Sequence, residues 1–296
     1  MKVLILGGSG MLGHKAYQLF SENFDTYVTF RNYSAKLKNT KLYEVDHVLD
    51  NVDALDFKIV ENIINTIAPN VVLNCIGIIK QLPEAQNAKK SIFINALFPH
   101  LLTECCEKIG TKLIQISTDC VFSGKKGNYS ENDLSDATDL YGKTKFLGEI
   151  YYNNALTIRT SIIGHELFSD LSLVDWFLSN RGKSINGFSN AIYTGLPTIT
   201  FVKEIIRIIK KYPKLTGLYN LSSNKISKYN LLRLIKEVYK LDIEIIPYDN
   251  FKVDRSLDST PYRNLTGFIP LIWEEMVQEM YYDYLNYRNR HVYVQK

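Results

Sequence analysis

Lys2-Val3-Leu4-Ile5-Leu6-Gly7-Gly8-Ser9-Gly10-Met11-Leu12-Gly13 is the stretch whose reading decides the fold. Four consecutive aliphatic residues after Lys2 have the composition of a strand buried on both faces. The glycines that follow satisfy both Gly-x-x-Gly-x-x-Gly (Gly7, Gly10, Gly13) and Gly-x-Gly-x-x-Gly, and a helical pattern then runs from Met11 to Phe20. Glycines between a strand and a helix permit a tight turn, close approach of a pyrophosphate to backbone N–H groups, and close packing of helix on strand. The stretch therefore predicts a dinucleotide-binding β-α unit, with Gly7, Gly10, Met11, Leu12 and Gly13 around the phosphates. An ordinary glycine-rich turn is the alternative.

The same rhythm continues outward. Strands are predicted over Thr26–Phe30, Val71–Asn74, Leu113–Ile116 and Leu156–Arg159, and helices over Phe57–Ile67 and Ile92–Ile109, with another carrying Tyr141 and Lys145. Alternating β and α segments argue for an α/β fold, a doubly wound parallel-sheet Rossmann domain over residues 1–160. After Arg159 the rhythm loosens. Helices are predicted over Val174–Leu178, Phe201–Lys211, Leu231–Tyr239 and Trp273–Leu285, and short strands over Leu218–Leu221 and Ile243–Pro247. Residues 161–296 thus read mainly as a smaller mixed α/β substrate domain, with segments expected to return to the first core. The tyrosine-rich end, Tyr281 to Tyr293, reads as the last helix and a short tail, with a homodimer contact as the alternative.

The composition narrows the function. A chain of 296 residues with 46% hydrophobic and 22% charged residues can bury a real core, which excludes disordered and fibrous classes. A net charge of +4, spread along the chain, gives no electrostatic footprint for nucleic acid. The cluster Lys210-Lys211-Tyr212-Pro213-Lys214 reads as a helix end and its solvated turn. Cys75, Cys105, Cys106 and Cys120 lack metal-ligand spacing and read as free thiols of a reducing cytoplasm. No stretch has the length of a membrane span or of a signal-peptide core, so a cytoplasmic protein is expected. No metal site is expected, and Ser9 among its glycines lacks the topology of a nucleophile elbow.

Two further sites follow from the residues. Beyond the second strand stands Arg31, where an NAD-selecting fold offers a carboxylate; Asp25 comes too early to reach. Arg31, with Lys36 or Lys38 nearby, suits the extra phosphate of NADP, so NADP is preferred and NAD is the alternative. The second site is Tyr141-Gly142-Lys143-Thr144-Lys145, downstream of a strand ending in Ser117-Thr118-Asp119. Residues four apart share a helix face, and a nearby cation should lower the tyrosine from its reference pKa of about 10. Hydroxyl, phenol and ammonium together suit proton transfer to or from a carbonyl or alcohol oxygen. Tyr248 and Lys252 have the same spacing without that company.

With these residues in hand the chain resembles the extended short-chain dehydrogenase/reductases, and within them the dTDP-4-dehydrorhamnose reductase (sugar-nucleotide reductase) family. The resemblance covers nearly the whole chain. It rests most on Gly7–Gly13, on Ile116-Ser117-Thr118-Asp119-Cys120-Val121-Phe122-Ser123-Gly124, on the Tyr141–Lys145 segment with Gly148-Glu149, and on Arg159-Thr160-Ser161. It implies Tyr141 as the acid, Lys145 as its partner and cofactor-ribose contact, and Thr118 as the hydroxyl that polarises the carbonyl. Asp119 is implied as a hexose contact, Asp53 and Ala54 as adenine contacts, and Cys75, Ile76 and Gly77 as the stretch lining the cofactor ribose. Asn95 falls where related enzymes keep an asparagine, with a structural role at a helix irregularity equally open.

Departures from the family are bulkier residues at Cys75 and Ile76, and a less polar loop from Ile78 to Pro83. In that loop Lys80 is a candidate for a substrate phosphate or acetamido oxygen, or simply an exposed lysine. Asn186–Asn190 and Val253–Ser256 fall where such enzymes grip the nucleotide. Arg255 is a candidate for the diphosphate, or for an ion pair with Asp254 or Asp258. The implied activity is NADPH-dependent reduction of the 4-keto group of a nucleotide-linked deoxyhexose, for surface polysaccharide synthesis. A sugar-nucleotide epimerase or dehydratase, and a non-catalytic binding or regulatory subunit, are the alternatives.

Overall fold

The computed structural model describes residues 1–289. Its centre is a seven-stranded sheet in the order β10-β6-β5-β4-β1-β2-β3, parallel throughout. The strands are β1 (Lys2–Leu6), β2 (Asp25–Thr29), β3 (Val48–Leu49), β4 (Val71–Asn74), β5 (Lys112–Thr118), β6 (Ala155–Thr160) and, far along the chain, β10 (Gly217–Asn220). The order runs outward in both directions from the β1–β4 pair. Such a reversal leaves a crevice beyond the carboxyl ends of the strands, where ligands bind in doubly wound folds.

The first stretch folds as its composition dictates. Val3, Leu4, Ile5 and Leu6 are all fully buried. Side chains alternate across a strand, so Val3 and Ile5 enter one hydrophobic cluster while Leu4 and Leu6 enter the other. On the first side pack α1 (Met11–Ser21) and α8 (Thr198–Lys211); on the second pack α3 (Phe57–Ile67) and α5 (Phe98–Lys108). A short α2 (Ala35–Asn39) follows β2, capped by Ser34, whose side chain accepts from the Leu37 N–H.

One helix differs from expectation. Ile92–Ile109 is not a single helix but α4 (Ala88–Ile92), a π turn over Phe93–Leu97, and then α5. Pro99 has no N–H to offer the Asn95 carbonyl, and at the turn's end the Phe98 N–H reaches back to Phe93 instead. The freed Asn95 carbonyl faces Gly148, where an added Cβ would stand 2.0 Å from that oxygen. The helix that bears Tyr141 and Lys145 is α6 (Leu140–Leu147), and Gly148 ends it.

Beyond β6 lie β7 (Ile162–Ile163), α7 (Leu173–Leu178), β8 (Ser184–Tyr193) and β9 (Leu196–Pro197). After β10 come β11 (Ile226–Ser227), α9 (Lys228–Tyr239), β12 (Glu244–Asp254), α10 (Thr260–Thr266) and α11 (Trp273–Asn289). The strands β11-β8-β12 form a second, mixed sheet. The ten-residue β8 was not expected, because Asn186-Gly187-Phe188-Ser189-Asn190 lacks both strand-forming residues and clean alternation. Its partner β12 reaches seven residues past the predicted strand end, to Asp254, across a register shift between Tyr248 and Lys252. Part of the tyrosine-rich end, from residue 290 on, lies outside the described residues. Among the described residues no helix is long and apolar enough to cross a membrane, and all four cysteines are free thiols.

Candidate active site

At the N-terminus of α1 the glycines hold the chain where side chains would not fit. Gly7 takes a left-handed φ of +88°, and an added Cβ at Gly13 would lie 2.0 Å from the Gly7 carbonyl oxygen. Gly10 is different: its nearest neighbour would be 3.7 Å away, so the space before the helix is open. Gly10 is also the N-cap and brings no side chain to the first helical N–H groups, which leaves those donors and the positive helix end for an anion. Met11 and Leu12 form the first turn. Two side chains brace the loop: Gly7 N–H donates to Thr29 Oγ1 (3.1 Å), and the Tyr43 hydroxyl donates to the Gly8 carbonyl (2.8 Å). His14 bonds the Gly10 carbonyl through Nδ1 (2.9 Å), and burial pushes it down to about 3, so it is neutral and donates. The cradle fits a pyrophosphate, with the chain's own charge kept out of it.

Around this cradle stand the other residues expected to meet the cofactor. Arg31 is exposed directly beyond β2. Lys36 and Lys38 lie over the rings of Phe168 and Tyr33. Ala54 is buried, and Asp53 turns its carboxylate to the Leu55 N–H (3.0 Å). The Ile76 N–H donates to Asn74 Oδ1 (3.0 Å), and the Ile76 side chain packs against Gly7. This brings the Cys75-Ile76-Gly77 stretch beside the glycine loop, where burial pushes the Cys75 thiol well up, so it stays protonated. Gly77 lies next to the Asn95 side chain.

Thr118, Tyr141 and Lys145 gather at the end of β5. Alternation along the strand separates Ser117 from Thr118. Ser117 Oγ donates to Glu149 Oε1 (2.6 Å), and Glu149 receives Arg159 Nε and Nη2 (2.7 Å each) in a buried fork. The Thr118 hydroxyl accepts from the Cys120 N–H (3.1 Å), lies 3.2 Å from Asp119 Oδ1, and is near enough to the phenol of Tyr141 to act on it. Lys145 is buried and donates to the Ile116 carbonyl (2.6 Å).

Electrostatics corrects one expectation. The tyrosine is not lowered: burial pushes Tyr141 well above the usual phenol range, Cys120 and the carboxylates of Asp119 and Asp139 add to this, and the nearby Thr118 hydroxyl opposes it. Lys145 is itself pushed down to about 8 by burial, which Glu149 partly offsets. A phenol so placed is protonated at neutral pH.

Two supports stand behind the pair, Asn95 and Asp139. Asn95 bonds both backbone groups of Ile78, accepting its N–H (2.9 Å) and donating to its carbonyl (2.9 Å), while Nδ2 also reaches Thr144 Oγ1 on α6 (3.3 Å). It joins the loop after β4 to the helix that carries Tyr141. Asp139, not singled out from the sequence, caps α6 by accepting the Gly142 N–H (2.9 Å) and pairs with Lys80 (2.8 Å), whose ammonium lies 5.6 Å from the centre of the Tyr141 ring. An aspartate before an apolar run is an N-cap signal, and Asp139 could have been found that way.

Arg255 pairs with neither expected carboxylate. Asp254 turns to Lys225 and Asp258 to Thr260, while Arg255 Nε donates to the Phe122 carbonyl (2.8 Å). Its charge is felt instead by Asp119, whose carboxyl burial pushes up while Arg255, Thr118 and Lys228 pull it back. Among the described residues no group of three or more His, Cys, Asp or Glu side chains could hold a metal ion.

Comparison with known proteins finds related chains and folds. The family model described as RmlD substrate binding domain matches residues 1–285. A crystal structure of a hypothetical dTDP-4-dehydrorhamnose reductase from Sulfolobus tokodaii is 26% identical, with a TM-score of 0.76, covering 93% of this chain and 98% of that one. The methionine adenosyltransferase 2 subunit beta of Mus musculus is 25% identical over 259 residues, 81% of this chain and 72% of the relative. The spore coat polysaccharide biosynthesis protein SpsK of Bacillus subtilis is 27% identical over 228 residues, 71% of this chain and 78% of the relative.

Proposed function

This chain belongs to the RmlD substrate binding domain family, and from that premise we propose that it is an NADPH-dependent reductase of the 4-keto group of a nucleotide-linked deoxyhexose. The observation that carries this reading is the gathering of the Tyr141 phenol, the Thr118 hydroxyl and the buried Lys145 ammonium at the carboxyl end of β5. The cofactor would lie with its pyrophosphate on Gly7–Gly13, its extra phosphate near Arg31, its adenine by Asp53 and Ala54, and its ribose by Cys75, Ile76, Gly77 and Lys145. When bound, it supplies the hydride.

The chain's own residues do the rest. Thr118 and Tyr141 would orient the keto oxygen between two hydroxyl donors. As charge develops there, the Tyr141 phenol gives up its proton to the nascent alkoxide. Lys145, near enough to neutrality to exchange its proton, stabilises the phenolate left behind. Asp119 and Arg255 would hold the hexose and its diphosphate, and Lys80 would contribute to the same face. Soluble precursor synthesis for a surface polysaccharide is the setting that fits, as with the spore coat relative. Residues 1–160 with β10 would carry the cofactor, and most of the remainder the sugar nucleotide.

The decisive experiment is oxidation of NADPH, with NADH in parallel, across a panel of 4-keto sugar nucleotides with product identification. Net oxidation of NADPH is expected. An epimerase would change the sugar without net oxidation, and its detection would overturn the reductase reading. A second reading is a binding subunit, favoured by relatives named as subunit beta of an adenosyltransferase; it would hold NADPH and turn nothing over.

A further inference from the structure

Tyr193 belongs to no motif, yet its position is unusual. It is 6% exposed, at the end of β8, and its hydroxyl is buried with no hydrogen bond of normal geometry, although the Ser161 side chain is near enough to act on it. Gly195 fixes where that hydroxyl sits. A Cβ there would lie 2.1 Å from the phenol oxygen and 2.3 Å from the Ser161 carbonyl oxygen, so the two oxygens flank the same glycine. Ser161 is the residue after Thr160, which pairs in register with Thr118. The phenol therefore stands beyond the carboxyl end of β6, one strand over from Thr118 and Asp119. Asp119 and Cys120 both act on it electrostatically, as they do on Tyr141.

A buried hydroxyl without a well-formed hydrogen bond destabilises a fold, so one kept beside a ligand crevice has reason to be satisfied when the ligand arrives. The ring itself is accounted for, since it packs 5.8 Å from Trp273 between centroids; the oxygen is not. We propose that the Tyr193 hydroxyl is a positioning group for the hexose, donating to or accepting from a ring hydroxyl on the side opposite Thr118 and Tyr141. This rests on the sugar-nucleotide reading above and extends it with a specificity-determining residue supplied by β8. Phenylalanine in its place would leave the packing intact and remove only the contact to the sugar.

The test compares wild type, Tyr193→Phe and Ser161→Ala by calorimetric titration with dTDP-glucose, UDP-glucose, dTDP and UDP, and by thermal unfolding without ligand. Tyr193→Phe should bind the better sugar nucleotide roughly tenfold more weakly, bind the matching bare diphosphate unchanged, and unfold at the same or a higher temperature. Ser161→Ala should keep the distinction between the two ligands as wild type does, because its side chain is not the proposed contact. Equal affinity of wild type and Tyr193→Phe for the sugar nucleotide would overturn the proposal, as would an equal loss for the diphosphate. A lowered unfolding temperature would overturn it too, by making the hydroxyl structural. If wild type binds none of the four ligands, the sugar-nucleotide reading itself falls, and this proposal with it.

Discussion

Tyr141/Lys145 and Tyr248/Lys252 share one spacing and have opposite surroundings. The first pair lies on α6, where four residues advance about 6 Å along the axis and return to the same face. The second lies on β12, where four residues span roughly 13 Å and a register shift falls between them. Tyr248 is exposed and lies against Phe188. Tyr141 lies near Thr118, is overhung by Lys80, and stands on a helix capped by Asp139. The spacing carries no chemistry by itself; the element on which it folds, and what that element packs against, supply it.

The comparison is broken most severely by Tyr141→Phe, which should lower turnover on the order of 100-fold or more while leaving NADPH binding, followed by fluorescence, intact. Retained turnover would move the acid elsewhere. A pH profile comes next. Lys145 is held down to about 8, so its ammonium form is lost as pH rises through that value. If the ammonium supports the phenolate, kcat/KM should fall above pH 8, approaching tenfold per unit, and be flat below it over the range where other groups do not titrate. A rise above pH 8 would assign Lys145 a role only as a neutral amine.

Asn95→Ala removes the company without touching the pair. It leaves both backbone groups of Ile78 without their partner and should cost about 1–3 kcal/mol of stability, read by denaturant unfolding. A several-fold loss of turnover should accompany it as the loop after β4 loosens. The smallest effect belongs to the second pair: Tyr248→Phe with Lys252→Ala should change turnover less than about twofold and stability by no more than about 0.5 kcal/mol, as for exposed positions generally.

The parts legible in the sequence are those fixed by local rules. Val3–Leu6 reads as a doubly buried strand because its aliphatic run is short and stops at a glycine turn, and Gly13 is required by a clash within the same loop. Family resemblance implies Thr118 and Tyr141 as partners, and the fold brings both to the end of β5. What the residues did not disclose depends on distant partners. The phenol rises because burial and the acidic groups about it act in the same direction, which a neighbouring lysine on the same helix could not foretell. The strand β8 owes its existence to β12, far along the chain. Tyr193 gains its position from Gly195 and β6, and no spacing announces it.

The place of β10 at the edge of the sheet has a consequence for how the protein is made. Its pairing partner β6 ends at Thr160, and β10 begins at Gly217. Synthesised from its N-terminus, the chain has the other six strands in hand well before the seventh leaves the ribosome, an interval on the order of several seconds. Through that interval β6 offers unpaired N–H and C=O groups along its outer side, the kind of edge that recruits strands from other molecules. Nascent chains stalled between these two strands should therefore be the ones that aggregate or engage chaperones.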